Sequence, residues 1–263
     1  MLRRAVAAIL PPAVVLVAIC TVWELWVRLA DVSKFTLPAP STVAAGLGDL
    51  DQMWPDLRTT MIRVLIGFLL AAVIGLLLAV VIVSVPPVGR AIYPLLVWSQ
   101  VLPKLAVAPL LLVWFGFGGV STVLIVFLIA FFPVVINAGL GFRSVDQEQL
   151  YLARSMGAGW MQTFRRIRVP SALPGIFGGL KLAALLAITG AIVAEFISAT
   201  TGIGRVIQTA SGDLDLPRIF VAVASVSAFG LLSFVVIEIA ERLAIPWHVS
   251  QRDRYEAAAR EAA

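Results

Sequence analysis

The stretch SVDQEQLYLARSMGAGWMQTFRRIRVPSALPGI, residues 144–176, is the one long polar interruption in a chain of membrane-length apolar runs. Its charged residues are Asp146, Glu148, Arg154, Arg165, Arg166 and Arg168. Each charge placed at the middle of a bilayer costs at least ~2.5 kcal/mol. The stretch is therefore predicted to lie outside the membrane, held there by the apolar runs on either side.

Composition identifies the chain as an integral membrane protein. Hydrophobic residues make up 60% of its 263 residues and charged residues 13%, with a mean hydropathy of +1.00. Charged residues average about 25% in soluble domains. The net charge of +5 does not indicate a nucleic-acid partner, because excess Lys and Arg in a membrane protein usually records its orientation. The single Cys20 and single His248 predict neither an intrachain disulfide nor a metal site.

Six apolar stretches approach the roughly 20 residues that a membrane-spanning helix needs. They are residues 7–27, 61–83, 95–113, 122–142, 173–198 and 219–240. The beginning of the chain, residues 1–20, resembles a signal peptide. We interpret it as an uncleaved anchor, because the apolar run 5–23 is longer than a usual signal core and is followed at 24–26 by large residues where a cleavage site needs small ones. The segment Gly116, Phe117, Gly118 and Gly119 predicts a tight turn between the third and fourth spans. The fold class is therefore an all-α membrane protein with six transmembrane helices.

Lys and Arg near the span ends predict the orientation, because their translocation is disfavoured. With an even number of spans and both termini cytoplasmic, the cytoplasmic side receives Arg3, Arg4, Arg90, Arg143, Arg154, Arg165, Arg166, Arg168, Arg242, Arg252, Arg254 and Arg260. The outer side receives Arg28, Lys34, Arg58, Arg205 and Arg218, with Arg63 at a boundary. The asymmetry favours cytoplasmic termini and a cytoplasmic charged stretch.

Two outer loops follow from this topology. In the first, residues 28–60, the Pro-Ala-Pro at 38–40 fixes an extended segment, and Ser41 is expected to cap a short helix over residues 42–50. The second outer loop covers residues 199–217. Both are expected to fold over the outer surface.

The charged stretch itself predicts two short helices. Ser144 followed three residues later by Gln147 fits a capping box, so a helix is expected to begin at Ser144 and to end at Gly157. A second helix is expected over residues 159–168, broken by Pro170. Two short helices joined at a glycine make a compact knob whose elbow carries little side-chain bulk.

This knob resembles the E-A-A loop of permease subunits of ATP-binding-cassette importers, which has the spacing A-x-x-x-G followed by I-x-x-P-x-x-L-P. The matching positions are Ala153, Gly157, Ile167, Pro170, Leu173 and Pro174. Tyr151 stands in place of the usual glutamate and Leu152 in place of the first alanine. The resemblance implies that the loop, residues 144–172 with Arg154 and Ala158 at its elbow, docks on a cytoplasmic ATPase.

Four further segments resemble the nitrate, sulfonate and taurine branch of these permeases. They are LPAPSTV at 37–43, RVLIGFLLA at 63–71, PKLAVAPLLLVWFGFG at 103–118 and AEFISATTGIGRVI at 194–207. Their order and spacing, together with the loop, cover most of the chain. The resemblance implies a single permease domain over residues 1–263, the type I importer permease fold and a place in the bacterial cytoplasmic (inner) membrane.

The same resemblance implies partners. Two permease copies pair, as a homodimer or with a close paralogue, beside two cytoplasmic ATP-binding subunits and an extracytoplasmic solute-binding protein. The chain is not expected to be an enzyme, because none of Lys34, Lys104 and Lys181 follows the glycine that a P-loop requires. ATP and Mg²⁺ are expected on the partner ATPase, with no cofactor on this chain.

Charges inside the spans are the candidate functional residues of the membrane region. Lys104 lies in the third span, where Pro103 predicts a kink, and Glu195 lies late in the fifth. An intramembrane charge is usually paired or faces a polar cavity, so two interpretations stay open: a Lys104–Glu195 pair, or a lining of the transport path. Trp98, Ser99 and Gln100 are candidates for the same path. Three charges nearer the cytoplasmic ends are predicted to snorkel to water: Lys181, Glu238 and Glu241.

The leading hypothesis is an importer permease for a small anion of the nitrate, sulfonate or taurine type, with Lys104 offsetting the charge of the solute. The PKLAVAP segment at 103–109 also resembles relatives that import thiamine or riboflavin precursors, so an uncharged heterocycle remains open. The alternative of another class is a membrane scaffold that binds an ATPase without carrying solute. An intramembrane enzyme has little support, because Ser99 has no identifiable base.

Overall fold

A computed structural model of the chain describes residues 2–101, 103–198 and 200–247, and all regular structure in these ranges is helical. His248, Arg252, Arg254 and Arg260 lie outside the described residues. The helices are α1 (Leu2–Leu29), α2 (Pro40–Gly46), a 3₁₀ turn (Leu47–Asp49), α3 (Leu50–Ser84), α4 (Pro86–Val101), α5 (Lys104–Phe115), α6 (Gly119–Arg143), α7 (Gln147–Ser155), α8 (Trp160–Thr163), a π-helical turn (Phe164–Arg168), α9 (Val169–Ser198), α10 (Ile203–Gly212) and α11 (Leu216–Ala244).

Within the described ranges, four helical runs are long and apolar enough to cross a membrane. These are α3, α6, the run Trp160–Ile197 and α11, and a bent pair, α4 with α5, makes a fifth if it counts as one span. The helix α1 covers the predicted first span. The all-helical fold class is confirmed, whereas six spans and cytoplasmic termini stay predictions.

The predicted third span, residues 95–113, is two helices rather than one. The segments Pro86–Val101 and Ala106–Phe115 meet at 102°. Pro103 precedes α5 in an extended conformation, with φ −67° and ψ 97°, and it has no N–H to donate to a helix. The kink expected at Pro103 is therefore a complete break.

Contacts within the chain define two compact units. One comprises Met1–Thr60 with Glu195–Ala228, and the other comprises Met61–Ala194 with Phe229–Ala263. The core of the second unit is built from small residues of α3, α6 and α9: Val64, Ala71, Val126, Ala130, Val134, Ala183, Ala187 and Ala191. A Cβ added at Gly67 would lie 2.5 Å from Val126 Cγ1. Glycine there lets α3 and α6 cross closely, as small residues do in membrane bundles.

In the first unit, the predicted capping role of Ser41 is wrong. The helix α2 begins at Pro40, and its N-cap residue Ala39 makes no side-chain bond. Ser41 Oγ instead donates to Glu24 Oε1 over 2.7 Å, and Ser41 N donates to Glu24 Oε2 over 3.0 Å. A carboxylate on α1 offers a stronger acceptor than water, so Ser41 links α2 to α1.

In the second unit, the predicted helix start at Ser144 is also wrong. The N-cap of α7 is Asp146, whose carboxylate accepts from Glu148 N over 3.0 Å. Ser144 instead follows the end of α6, where its Oγ donates to Gly141 O over 2.8 Å. Both residues favour helix N-termini, and aspartate also complements the helix dipole.

The predicted break at Pro170 does not occur. After the π-helical turn, α9 begins at Val169 and continues through Pro170 and Pro174 to Ser198. Pro170 lies where the π-helical turn meets α9, and an irregular turn of this kind accommodates the N–H that proline lacks. The second helix of the knob is therefore continuous with the following membrane span.

Candidate functional site

The elbow between α7 and α8 is fixed by a Schellman motif. Gly157 adopts φ +78°, and its N–H donates to Arg154 O over 2.9 Å, while Ala158 N donates to Ala153 O over 3.0 Å. This pair of bonds ends a helix and favours glycine at the left-handed position. The predicted stop at Gly157 is confirmed, and a Cβ added there would meet no atom within 4 Å.

The helix α7 has a buried face and an exposed apolar face. Leu150 and Ala153 are buried. The exposed apolar side chains of α7, the elbow and α8 form what we term the elbow surface: Tyr151, Leu152, Met156, Trp160 and Met161, between 55% and 79% exposed. On a segment predicted to lie outside the membrane, a group of exposed apolar side chains of this kind indicates a protein interaction site.

An aromatic stack attaches this surface to the helix bundle. The rings of Trp160 and Phe164 are stacked at 5.2 Å, and those of Phe164 and Phe142 at 5.7 Å. Phe142 lies on α6 and is 3% exposed. The stack therefore runs from the exposed side of the knob into the buried core.

The predicted loop residues divide into two groups. Tyr151, Leu152, Arg154 and Gly157 are exposed at the elbow. The remaining motif residues are partly or fully buried: Ala153, Ala158, Ile167, Pro170, Leu173 and Pro174. Leu173 packs against a core cluster that includes Ala172 and Ile176. The exposed group thus forms the surface of the elbow, and the buried group packs the knob against the rest of the unit.

The predicted path residues of the second unit lie around the break between α4 and α5. Trp98 is 71% exposed, Gln100 is exposed, and Ser99 Oγ donates to Leu96 O over 2.7 Å. Lys104 is half-buried, and its Nζ lies 4.9 Å from the centre of the Phe132 ring. Among the described residues, no acidic side chain forms an ion pair with Lys104.

In the first unit, Glu195 is fully buried, with 0% exposure. Its Oε2 accepts from Thr60 Oγ1 over 2.7 Å and from Gly204 N over 3.1 Å. Thr60 Oγ1 in turn accepts from Ile203 N over 2.9 Å. We term these groups, with Asp56 and the segment 202–205, the Glu195 cluster.

Asp56 completes the Glu195 cluster. Its carboxylate accepts from Gly202 N over 2.7 Å and from Arg205 Nη2 over 2.9 Å. The cluster ties the start of α10 to the second and third turns of α3, and it was not predicted from the sequence. Asp56 and Thr60 lie one helical turn apart, so their side chains share one face of α3. This spacing is the only sequence feature that could have indicated a shared partner. Whether Glu195 lines the transport path or pairs with Lys104 stays a prediction.

A second membrane charge group corrects the snorkelling prediction for Lys181. Lys181 on α9 pairs with both Glu238 and Glu241 on α11, and its side chain is 19% exposed. Arg242 adds a 3.0 Å pair with Glu238. These charges therefore compensate one another between two helices, as intramembrane charges usually do.

The larger part of the chain, from α3 to the end of α11, matches a known family. Residues 50–245 match the family model of the binding-protein-dependent transport system inner membrane component. The chain belongs to this family. It is a permease subunit of an ATP-binding-cassette importer and a multi-pass protein of the cytoplasmic membrane.

Relatives of the permease are named for the transport of different solutes. The formylaminopyrimidine transport permease of Halalkalibacterium halodurans is 33% identical, over 92% of this chain and 97% of the relative. The riboflavin transport permease of Chloroflexus aurantiacus is 36% identical, over 90% of both chains. A putative aliphatic sulfonate permease of Bacillus subtilis is 31% identical, over 94% of this chain and 88% of the relative.

Proposed function

We propose that the permease forms the translocation path for a small solute and couples it to a cytoplasmic ATPase through the elbow surface. The elbow surface carries this proposal, because its exposed apolar side chains stand on a hydrogen-bonded turn that is attached to α6 by stacked rings. A second permease copy, two ATPase subunits that bind ATP and Mg²⁺, and a solute-binding protein complete the complex. The chain itself binds no cofactor.

The proposed solute is a small anion of the nitrate, sulfonate or taurine type. Lys104 supports this choice, since it is a half-buried cation on a predicted membrane segment and forms no ion pair with any described acidic residue. A cation in that setting lowers the energy of an anion passing it. The sulfonate relative of Bacillus subtilis is consistent with such a solute.

An uncharged or weakly charged heterocycle is the second candidate. The relatives named for formylaminopyrimidine and riboflavin transport favour it, at 33% and 36% identity. Trp98, with 71% of its surface exposed beside the helix break, offers a ring face on which a planar heterocycle can stack. Lys104 would then contribute little to uptake.

Replacing Lys104 by Met distinguishes these candidates. In liposomes containing the permease, its ATPase and its binding protein, we expect uptake of an anion to fall at least ~10-fold, a change of about 1.4 kcal/mol. Basal ATP hydrolysis should persist. The matched control is Lys34→Met, since Lys34 also lies over an aromatic ring, Phe35, but in the first outer loop.

Thermal-shift screening of the binding protein against nitrate, sulfonates, aromatic acids and pyrimidines selects the solute for this assay. Unchanged uptake in Lys104→Met would remove Lys104 from the path and favour the heterocycle. If no bound solute stimulates ATP hydrolysis by the complex, the permease is a scaffold for the ATPase and the transport proposal is wrong.

A further inference from the structure

An open cleft of about 470 Å³ lies at one end of the second unit. It is formed by the last turn of α3, the first turns of α4, the last residue of α6 and the π-helical turn before α9. Arg143 and Arg168 flank the α7–α8 knob in the chain, and the predicted topology places Arg90 on the same side of the membrane. The cleft is therefore predicted to lie at the cytoplasmic end. Neither the path residues nor the elbow surface lines it.

Three arginines from three different elements line this cleft: Arg90, Arg143 and Arg168. Among the described residues, none of the three forms an ion pair with an acidic side chain. Like charges gathered in one cleft repel one another, and the repulsion is stronger next to a low-dielectric membrane than in water. Retention in the cytoplasm needs positive charge, but it does not need the charges to converge on one cavity.

Two local contacts restrain the walls of the cleft. Gly89 is buried, and a Cβ there would lie 2.3 Å from Ile82 O, so only glycine lets α4 pack this closely on the end of α3. The Arg143 guanidinium lies 5.1 Å from the centre of the Tyr93 ring. This cation–π contact restrains the guanidinium while leaving its N–H donors available.

The remaining lining is apolar. Ile82, Val83 and Pro86 contribute to the wall beside the arginines, and the neighbouring Val85 and Leu95 are 41% and 59% exposed. A cationic group of arginines beside an exposed apolar surface matches a lipid at the cytoplasmic leaflet, which has an anionic headgroup above acyl chains.

We propose that the arginine cleft, formed by Arg90, Arg143 and Arg168, binds a tetrahedral oxyanion of the phosphate type. The planar guanidinium fork matches two oxygens of such a group. The phosphodiester of an anionic phospholipid and soluble inorganic phosphate share this chemistry. The site is separate from the solute path and from the elbow surface.

The test compares the full-length permease with the triple variant Arg90→Gln, Arg143→Gln, Arg168→Gln. Native mass spectrometry of purified protein titrated with phosphatidylglycerol measures lipid binding, and titration with inorganic phosphate in neutral-lipid nanodiscs measures soluble anion binding. We expect at least one of these affinities to fall at least ~10-fold in the triple variant. The arm that responds identifies the source of the oxyanion.

The matched control is Arg165→Gln with Arg166→Gln, two exposed arginines of the same π-helical turn that do not line the cleft. It should bind both probes as wild type does. If the triple variant does not fold, Arg90→Gln alone serves the same comparison, because Arg90 is exposed and makes no described ion pair.

Two outcomes overturn the proposal. One is that wild type binds neither probe, or binds both no better than the triple variant. The other is that the triple variant fails to retain the ATPase while its lipid and phosphate binding are unchanged, which would mean that the arginines meet acidic groups of the partner protein.

Discussion

Gly157→Leu is expected to leave the permease inserted in the membrane while lowering solute-stimulated ATP hydrolysis and uptake at least ~10-fold. Gly157 holds φ +78°, a conformation that costs a residue with a Cβ about 1–2 kcal/mol. The leucine side chain would also project into open space, because a Cβ at Gly157 would meet no atom within 4 Å. An ATPase surface that fits this elbow closely would meet the added bulk.

Two control variants separate the causes. Gly157→Asn keeps the left-handed backbone, which asparagine tolerates, and still adds bulk at the elbow. Gly159→Leu adds the same side chain two residues away, at a φ of −70° with open space around it. If bulk is the cause, Gly157→Asn should also be impaired; if only the backbone matters, it should work normally. Normal docking and transport by Gly157→Leu would refute the role of the elbow.

Gly202→Ala is expected to lower the free energy of unfolding by at least ~3 kcal/mol through its effect on the Glu195 cluster. Two costs add together, a strained backbone and a steric overlap. Gly202 has φ +107°, and a Cβ there would lie 2.2 Å from Glu195 Cδ. Relieving the overlap requires moving a buried carboxylate away from Thr60 and Gly204 N. The loss of hydrogen-bond donors by a buried carboxylate is costly.

The readouts for Gly202→Ala are its amount in isolated membranes and its thermal unfolding midpoint in detergent, both of which should fall. Gly212→Ala is the matched control, since Gly212 ends α10 and a Cβ there meets no atom within 4 Å. Alanine is also a better helix former than glycine, so this variant should match or exceed wild type. A Gly202→Ala protein that unfolds at the wild-type temperature would show that the cluster rearranges at little cost.

Features that depend on local sequence were predictable. Apolar length located the long helices, and the glycines near 116–119 located the turn that separates α5 from α6. Gly157 was readable because a helix that ends in a Schellman motif favours a residue with positive φ. The long apolar helices and the elbow could therefore be predicted from the sequence.

Features that depend on competition or on distant partners were not predictable. Ser144 and Asp146 are both good N-cap residues two positions apart, and sequence alone does not rank them. Pro103 predicted a kink in the third span, but not the 102° angle between the two helices that replace it. Glu195 meets Thr60, which is 135 residues away, and no periodic pattern connects the two.

The stacked rings of Trp160, Phe164 and Phe142 give the knob a mechanical property. A side chain usually absorbs a push by rotating about its single bonds, but these rings are nearly parallel, at 10° and 18°, with centres 5.2 and 5.7 Å apart, so each ring restricts the rotation of the next. We expect a displacement of Trp160 to be passed along these contacts to the buried end of α6. Under such a load the knob and α6 would move together, because few side-chain rotations are open to the rings between them.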